Sequence, residues 1–163
     1  MDRLLLTLLV VAFFALAVYG MWRGWRRQAR TQSVRIPPFP ELPENLGEPT
    51  LTADGLYVAT TNAGHWQERV VTRGVGMRGP AVLRLYEQGV HVDRAGAVGI
   101  WIPRSSIVDV KPGKGMAGKV MGTESLLVFT WSVGDVELDT GFRGDDHGDY
   151  PQWINEVKGG AQV

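Results

Sequence analysis

Ala81-Val82-Leu83-Arg84-Leu85-Tyr86-Glu87-Gln88-Gly89-Val90-His91-Val92 reads as two strands joined by a turn. Leu83 and Leu85 alternate with Arg84 and Tyr86, Val90 and Val92 alternate with His91 and Asp93, and Glu87-Gln88-Gly89 supplies the turn. A period of two sends alternate side chains to opposite faces, so the stretch predicts an antiparallel hairpin with one buried face. The same period recurs outward. Upstream, Leu56-Tyr57-Val58-Ala59-Thr60-Thr61 is β-branched and aromatic and follows the turn pair Asp54-Gly55. Downstream, Val98, Ile100 and Ile102 oppose Gly99 and Trp101 until Pro103 ends the run. Ile107 to Val110 is a short strand, Leu126 to Trp131 is apolar on both faces and therefore central, and Val136 and Leu138 alternate with Glu137 and Asp139. This makes about seven strands. His65 to Thr72 fits no such period, and Trp66, Arg69, Val70 and Arg73 are spaced for a short helix or a turn.

The chain closes on a helix. Asp149 stands at an N-cap position, Pro151 in the first turn, and Trp153, Ile154 and Val157 form one apolar stripe before Gly159-Gly160. A helix of about ten residues is unstable alone, so the stripe must dock, and Trp153 facing inward would plug an open end of the sheet.

At the other terminus, Leu4 to Met21 holds eighteen residues without a charge. As a helix it covers roughly 27 Å, close to the roughly 30 Å hydrocarbon thickness of a bilayer. Ala15-Leu16-Ala17 has the spacing of a signal-peptidase site, but the apolar run continues to Met21 and the basic residues follow it. Arg23, Arg26, Arg27 and Arg30 hold that flank in the cytoplasm by the positive-inside rule, and Trp22 and Trp25 suit the interface. The expectation is an uncleaved single span in the inner (plasma) membrane, N-terminus outside, with the lipid bilayer as partner through Leu4 to Met21. A lipoprotein is excluded because there is no cysteine.

Between the two lies a proline-rich stretch. Pro37, Pro38, Pro40, Pro43 and Pro49 fall between Gln28 and Thr52, where no apolar period is sustained. It predicts an extended, semi-rigid arm holding the domain off the bilayer. Pro40-Glu41-Leu42-Pro43 also matches a PxxP ligand, a common coincidence in such a linker. The organisation expected is therefore 1–27 anchor and basic flank, 28–53 linker, and 54–163 folded domain.

Charge divides along the same lines. Of 17 basic and 17 acidic residues, positions 1–35 hold six Arg and one Asp (+5), leaving eleven basic and sixteen acidic beyond (−5). A net acidic domain without a basic stripe is poor nucleic-acid-binding material. The absence of cysteine removes disulfides, thiolate metal sites and cysteine nucleophiles.

Few motifs carry chemistry. Gly113-Lys114-Gly115-Met116-Ala117-Gly118-Lys119-Val120 has phosphate-loop spacing as far as the lysine, but Val120 replaces the hydroxyl that would hold Mg²⁺. It reads as a glycine-rich loop, on which Lys111, Lys114 and Lys119 are candidate contacts for an anionic lipid or other anion. Asp145-Asp146-His147-Gly148-Asp149 gathers metal-ligand types without a metal-loop spacing and reads as a polar turn. His65 and His91 stand alone, and Ser105 and Ser106 lack a nucleophile elbow. No catalytic, cofactor or metal site is predicted, and no cofactor.

The chain resembles a family of small actinobacterial membrane proteins with one N-terminal span and a bacterial pleckstrin-homology-like (PH-like) domain, sometimes labelled export or transporter proteins. The likeness rests on Tyr57-Val58-Ala59-Thr60-Thr61, His65-Trp66-Gln67-Glu68-Arg69-Val70, Gly89-Val90-His91-Val92-Asp93-Arg94, Ile102-Pro103 with Ile107, and Gly134-Asp135 through Asp139-Thr140-Gly141-Phe142-Arg143. It covers nearly the whole chain and implies an α+β fold, an N-terminal transmembrane helix plus a PH-like antiparallel β-barrel capped by the C-terminal helix. These motifs are structural, so the resemblance implies no activity. The function expected is a non-catalytic adaptor or scaffold that recruits a protein partner at the membrane. Anionic-lipid binding through the Lys111 to Lys119 loop is the alternative, and a transporter accessory subunit or an enzyme the weakest reading.

Overall fold

A computed structural model of the chain describes residues 1–116, 119–120 and 125–160, with the backbone alone at 32–34, 116, 119 and 120. Helix α1 (Asp2–Arg35) comes first. It is long and apolar enough to cross a bilayer, a test that a signal sequence also passes, and its most apolar window is wholly exposed. Arg26 lies over the Trp22 ring at 4.4 Å, and Tyr19 packs beside Trp22 at 6.2 Å between ring centroids.

The helix continues eight residues past the expected anchor, to Arg35. Gln28-Ala29-Arg30-Thr31 contains neither proline nor glycine, and the first breaker is Pro37, which disfavours helical backbone at the residue before it. The segment that follows is not a free arm. Ile36, one residue beyond the helix, is 2% exposed and belongs to the main core. Its carbonyl accepts hydrogen bonds from Arg73 Nε at 3.2 Å and Nη2 at 2.9 Å. Phe39 packs edge-on against Trp131, 5.2 Å between centroids, and the Thr50 N–H donates to the Leu85 carbonyl. Residues 36–50 thus form a strap across the domain. The stretch lacks a helical or strand period because single residues, not a continuous face, dock.

The strands are β1 (Leu51–Asn62), β2 (His65–Arg69), β3 (Gly79–Leu85), β4 (Gly89–Arg94), β5 (Ile100–Pro103), β6 (Ile107–Gly113), β7 (Gly115–Met116), β8 (Lys119–Val120), β9 (Leu126–Val133) and β10 (Val136–Gly144). Seven run in the order β5-β4-β3-β1-β10-β9-β6, β2 joins as a partner of β1, and β7 pairs with β8 separately. Every ladder is antiparallel. The hairpin of β3 and β4 pairs Leu85 with Val90 and Leu83 with Val92, as its alternation requires. β1 begins five residues before the expected Leu56, because Leu51 to Tyr57 pair with β3 along their whole length. The second half of β1 pairs with β10, and its last residues with β2.

His65–Arg69 is therefore a strand and not a helix or turn. Four of its five residues are exposed, so no buried face prints a period on the sequence. The sheet is an open one: its terminal strands β5 and β6 have no ladder between them. Helix α2 (Tyr150–Gly159) packs beside β6, burying Trp153, Val157 and Tyr150 in the core. Lys158 Nζ reaches Asp109 Oδ1 at 3.3 Å, and Arg104 Nη1 donates to the Glu156 carbonyl at 3.4 Å. Asp149 holds the N-cap position with helical φ and ψ, and its side chain makes no capping bond. The Trp153 N–H is taken by its backbone carbonyl instead.

A polar chain threads the core. Trp131 Nε1 donates to Thr140 Oγ1 at 2.9 Å, Thr140 and Thr60 hydroxyls meet at 3.1 Å, Thr60 and Tyr57 hydroxyls at 2.8 Å, and Tyr57 donates to the Val75 carbonyl at 2.8 Å. Every member is satisfied, the condition for such a network to stabilise rather than weaken a core. Arg94, 5% exposed, lies over the Tyr57 ring at 4.4 Å. Its guanidinium donates to the carbonyls of Gly74, Met77 and Val98, knitting the loop between β2 and β3 to the end of β4.

Candidate functional site

Strand β9 separates two apolar clusters. Leu127, Phe129, Trp131 and Val133 face the main core, while Leu126 and Val128 join Val58 and Ala59 on the opposite face. Above this smaller cluster lies a groove of about 350 Å³, lined by Gly64, Trp66, Lys111, Gly113, Lys114, Gly115, Val128 and Asp139. Its size suits a ligand.

Each wall follows from local sequence. Gly64, at φ +76°, makes the tight turn that returns the chain from β1 into β2 and brings Trp66 to the rim, 40% exposed. Lys111 is in register with Val128 and Gly113 with Leu126, so the end of β6 runs over the floor. The floor stays open because Gly113 has no side chain: a Cβ there would stand 2.8 Å from Val128 Cγ2. Asp139, 8% exposed, is held by Thr130 Oγ1, which donates to its Oδ1, and by the Gly64 N–H, 3.4 Å from Oδ2. The groove therefore offers two exposed ammonium groups, an indole and a fixed carboxylate. Among the described residues it offers no nucleophile paired with a base.

Of the three loop lysines singled out by the sequence, Lys111 and Lys114 come together here. Among the described residues neither forms an ion pair. Lys119 opposes Met116 in the β7–β8 ladder, and its side chain lies outside the described residues, as do Ala117 and Gly118. Where a phosphate loop would start a helix, the chain forms β7 and β8. The membrane-flank residues Trp22, Arg23, Trp25, Arg26, Arg27 and Arg30 are exposed along α1. Nothing in the sequence marks Trp66, Asp139 and Val128 as neighbours of the lysines, since only the β1-β10-β9-β6 order, with β2 on β1, joins them.

The other polar features have local roles. Asp146 Oδ1 accepts from the Gly148 N–H, and the His147 ring lies 5.4 Å from Tyr150, as a turn before a helix requires. Tyr150 accepts from the Gly144 N–H and donates to the Ser125 carbonyl, and burial pushes its phenol pKa up. His91 is lowered by burial, an effect that Asp93 partly opposes. It abuts Gly99 and borders a second cavity of about 390 Å³, closed on one side by Pro38 to Leu42 of the strap and on another by Trp101. The PxxP residues Pro40 and Leu42 thus line a cavity in their own domain.

The position of the groove relative to the end of α1 is fixed by β9. Pro37, just after α1, lies against the β9–β10 turn, where a Cβ on Gly134 would come within 2.9 Å of Pro37 Cγ. Lys111 and Gly113 face the other end of β9, roughly 20 Å away at about 3.3 Å per residue.

Residues 36–158 match a family described as bacterial PH domain-like. No curated protein matches the chain. Among solved structures the chain is similar to one of Vav1 inhibited by an allosteric inhibitor, with a TM-score of 0.42 and 11% identity over 88% of this chain. It spans 34% of that chain's length.

Proposed function

Since the chain belongs to the bacterial PH domain-like family, with 36–158 as the matched unit, we propose that it is a membrane-anchored, non-catalytic adaptor recruiting a protein partner at the cytoplasmic face. In this reading α1 is an uncleaved single span with its N-terminus outside, and Arg23, Arg26, Arg27 and Arg30 keep the domain inside. The observation that carries it is the groove under Trp66, at the end of β9 remote from the strap residue that follows the anchor. A site so placed is presented to the cytoplasm more readily than to the bilayer. A tryptophan at the rim of a pocket is also the residue type on which protein interfaces concentrate their binding energy.

The test is crosslinking in native membranes with the full chain and with a control truncated after Arg35. A partner recovered with the full chain and absent from the control supports recruitment by the domain. Identical recovery from both sinks it. Anionic-lipid binding is a second reading, favoured by Lys111 and Lys114 sharing one groove. It predicts that the full chain, reconstituted in nanodiscs, gathers anionic lipid and that Lys111→Ala with Lys114→Ala abolishes this.

A further inference from the structure

We infer that the groove between β2 and the β6–β7 edge takes an extended acidic peptide segment, with Lys111 and Lys114 on its carboxylates and Trp66 on an apolar neighbour. This rests on the adaptor reading and names the chemistry of the partner. Three observations point to it. Lys111 and Lys114 are exposed and form no ion pair among the described residues, so two ammonium groups stand against the one carboxylate of Asp139 in the described lining. Gly113 and Gly115 remove side chains from the wall between them, leaving room for a backbone alongside the strand.

The third is Asp139. Its carboxylate is fixed on the floor by Thr130 and Gly64, with further lone pairs available. A purely anionic ligand would meet repulsion there. A peptide brings N–H donors for Asp139 and carboxylates for the lysines, so both signs of the groove are matched. An anionic bilayer matches only the lysines, and residues 36–163 carry eleven basic and sixteen acidic groups that would oppose its approach. A segment of chain approaches the groove alone.

The experiment places photoreactive p-benzoylphenylalanine at position 66 of the full chain in native membranes, with the same residue at Val98, which is 75% exposed and outside the groove, as control. The expected product is a crosslink from position 66 to a net acidic segment of a membrane-proximal protein. Each of Lys111→Glu and Lys114→Glu should lower its yield roughly fivefold, the Arg replacements should retain it, and high salt should weaken it. Both lysines are exposed, so the variants keep the wild-type melting temperature. A segment without net acidity, a yield indifferent to charge reversal, a phospholipid adduct, or no adduct above the Val98 control would each overturn the assignment. If copurification still distinguishes the full chain from the Arg35 truncation in those cases, recruitment stands and only this groove is wrong. If it does not, the adaptor reading fails first.

Discussion

Ile36→Ala tests whether the segment after α1 belongs to the domain. Ile36 is 2% exposed, in the core, with its carbonyl clamped by Arg73. Truncating a buried isoleucine loses its transfer energy and leaves a cavity, together about 2–4 kcal/mol. For a domain of this size each kcal/mol lowers the melting temperature by a few degrees, so the expected fall is roughly 8–15 °C. Leu42→Ala is the internal control: the residue sits on the same strap but is 45% exposed, and such changes stay within about 0.5 kcal/mol. The assay is thermal unfolding of the full chain in detergent micelles, followed by near-ultraviolet circular dichroism, which reports the packing of Trp131 and its neighbours. If Ile36→Ala melts within about 2 °C of wild type, or no lower than Leu42→Ala, the strap is a linker after all.

Three further outcomes follow from the same packing. Burial drives the Tyr57 phenol from 10.0 to about 12, against smaller opposing effects of the Thr60 hydrogen bond and of Arg94 and Arg69. Its folded pKa is raised, so this stability is complete below pH 10 and is lost as pH rises toward 12, about 1.4 kcal/mol per unit. Denaturant titrations at pH 9 to 12 should show that slope in wild type and a shallower one in Tyr57→Phe; equal slopes would contradict the assignment. Gly55→Ala should cost about 3 kcal/mol, because a Cβ there lies 2.1 Å from the Arg143 carbonyl oxygen and two paired strands must part; a midpoint unchanged in urea would refute it. The chain has no cysteine, so a single Val98→Cys reports topology: a membrane-impermeant maleimide should label it only after cells are opened, and labelling of intact cells would reverse the orientation.

What the sequence disclosed, and what it hid, divides by whether an element buries a continuous face. Leu83 and Leu85 in β3, Leu138 in β10, and Trp153 with Val157 in α2 all point into one core, and burial prints a period of two or of 3.6 on the chain. β2 escaped because it is exposed along most of its length and pairs with β1 at its ends. The strap escaped because Ile36 and Phe39 dock singly between prolines, which looks like a linker to any window average. The lysine loop was legible as a charge pattern, yet its groove was not. Part of the groove consists of what is missing, the side chains of Gly113 and Gly115, and another part is Asp139, which reaches Lys111 only through β9.

The position of Ile36 also bears on how an adaptor of this design would work. A flexible linker of the 26 residues from 28 to 53 would have an r.m.s. reach of roughly 28 Å, and a domain on it would search a wide volume. Docking of Ile36 one residue after Arg35 removes most of that freedom. The end of the helix and the first core residue are then one joint, and the groove lies about a strand's length from it. In the proposed arrangement, a partner held under Trp66 would be confined to a narrow shell above the membrane rather than tethered loosely near it, which would raise its effective concentration for any membrane component in that shell. In that proposed arrangement the proline-rich strap would be the clamp that sets this height. Its stiffness serves the fold first, by covering Trp131, and the geometry of presentation follows from that burial.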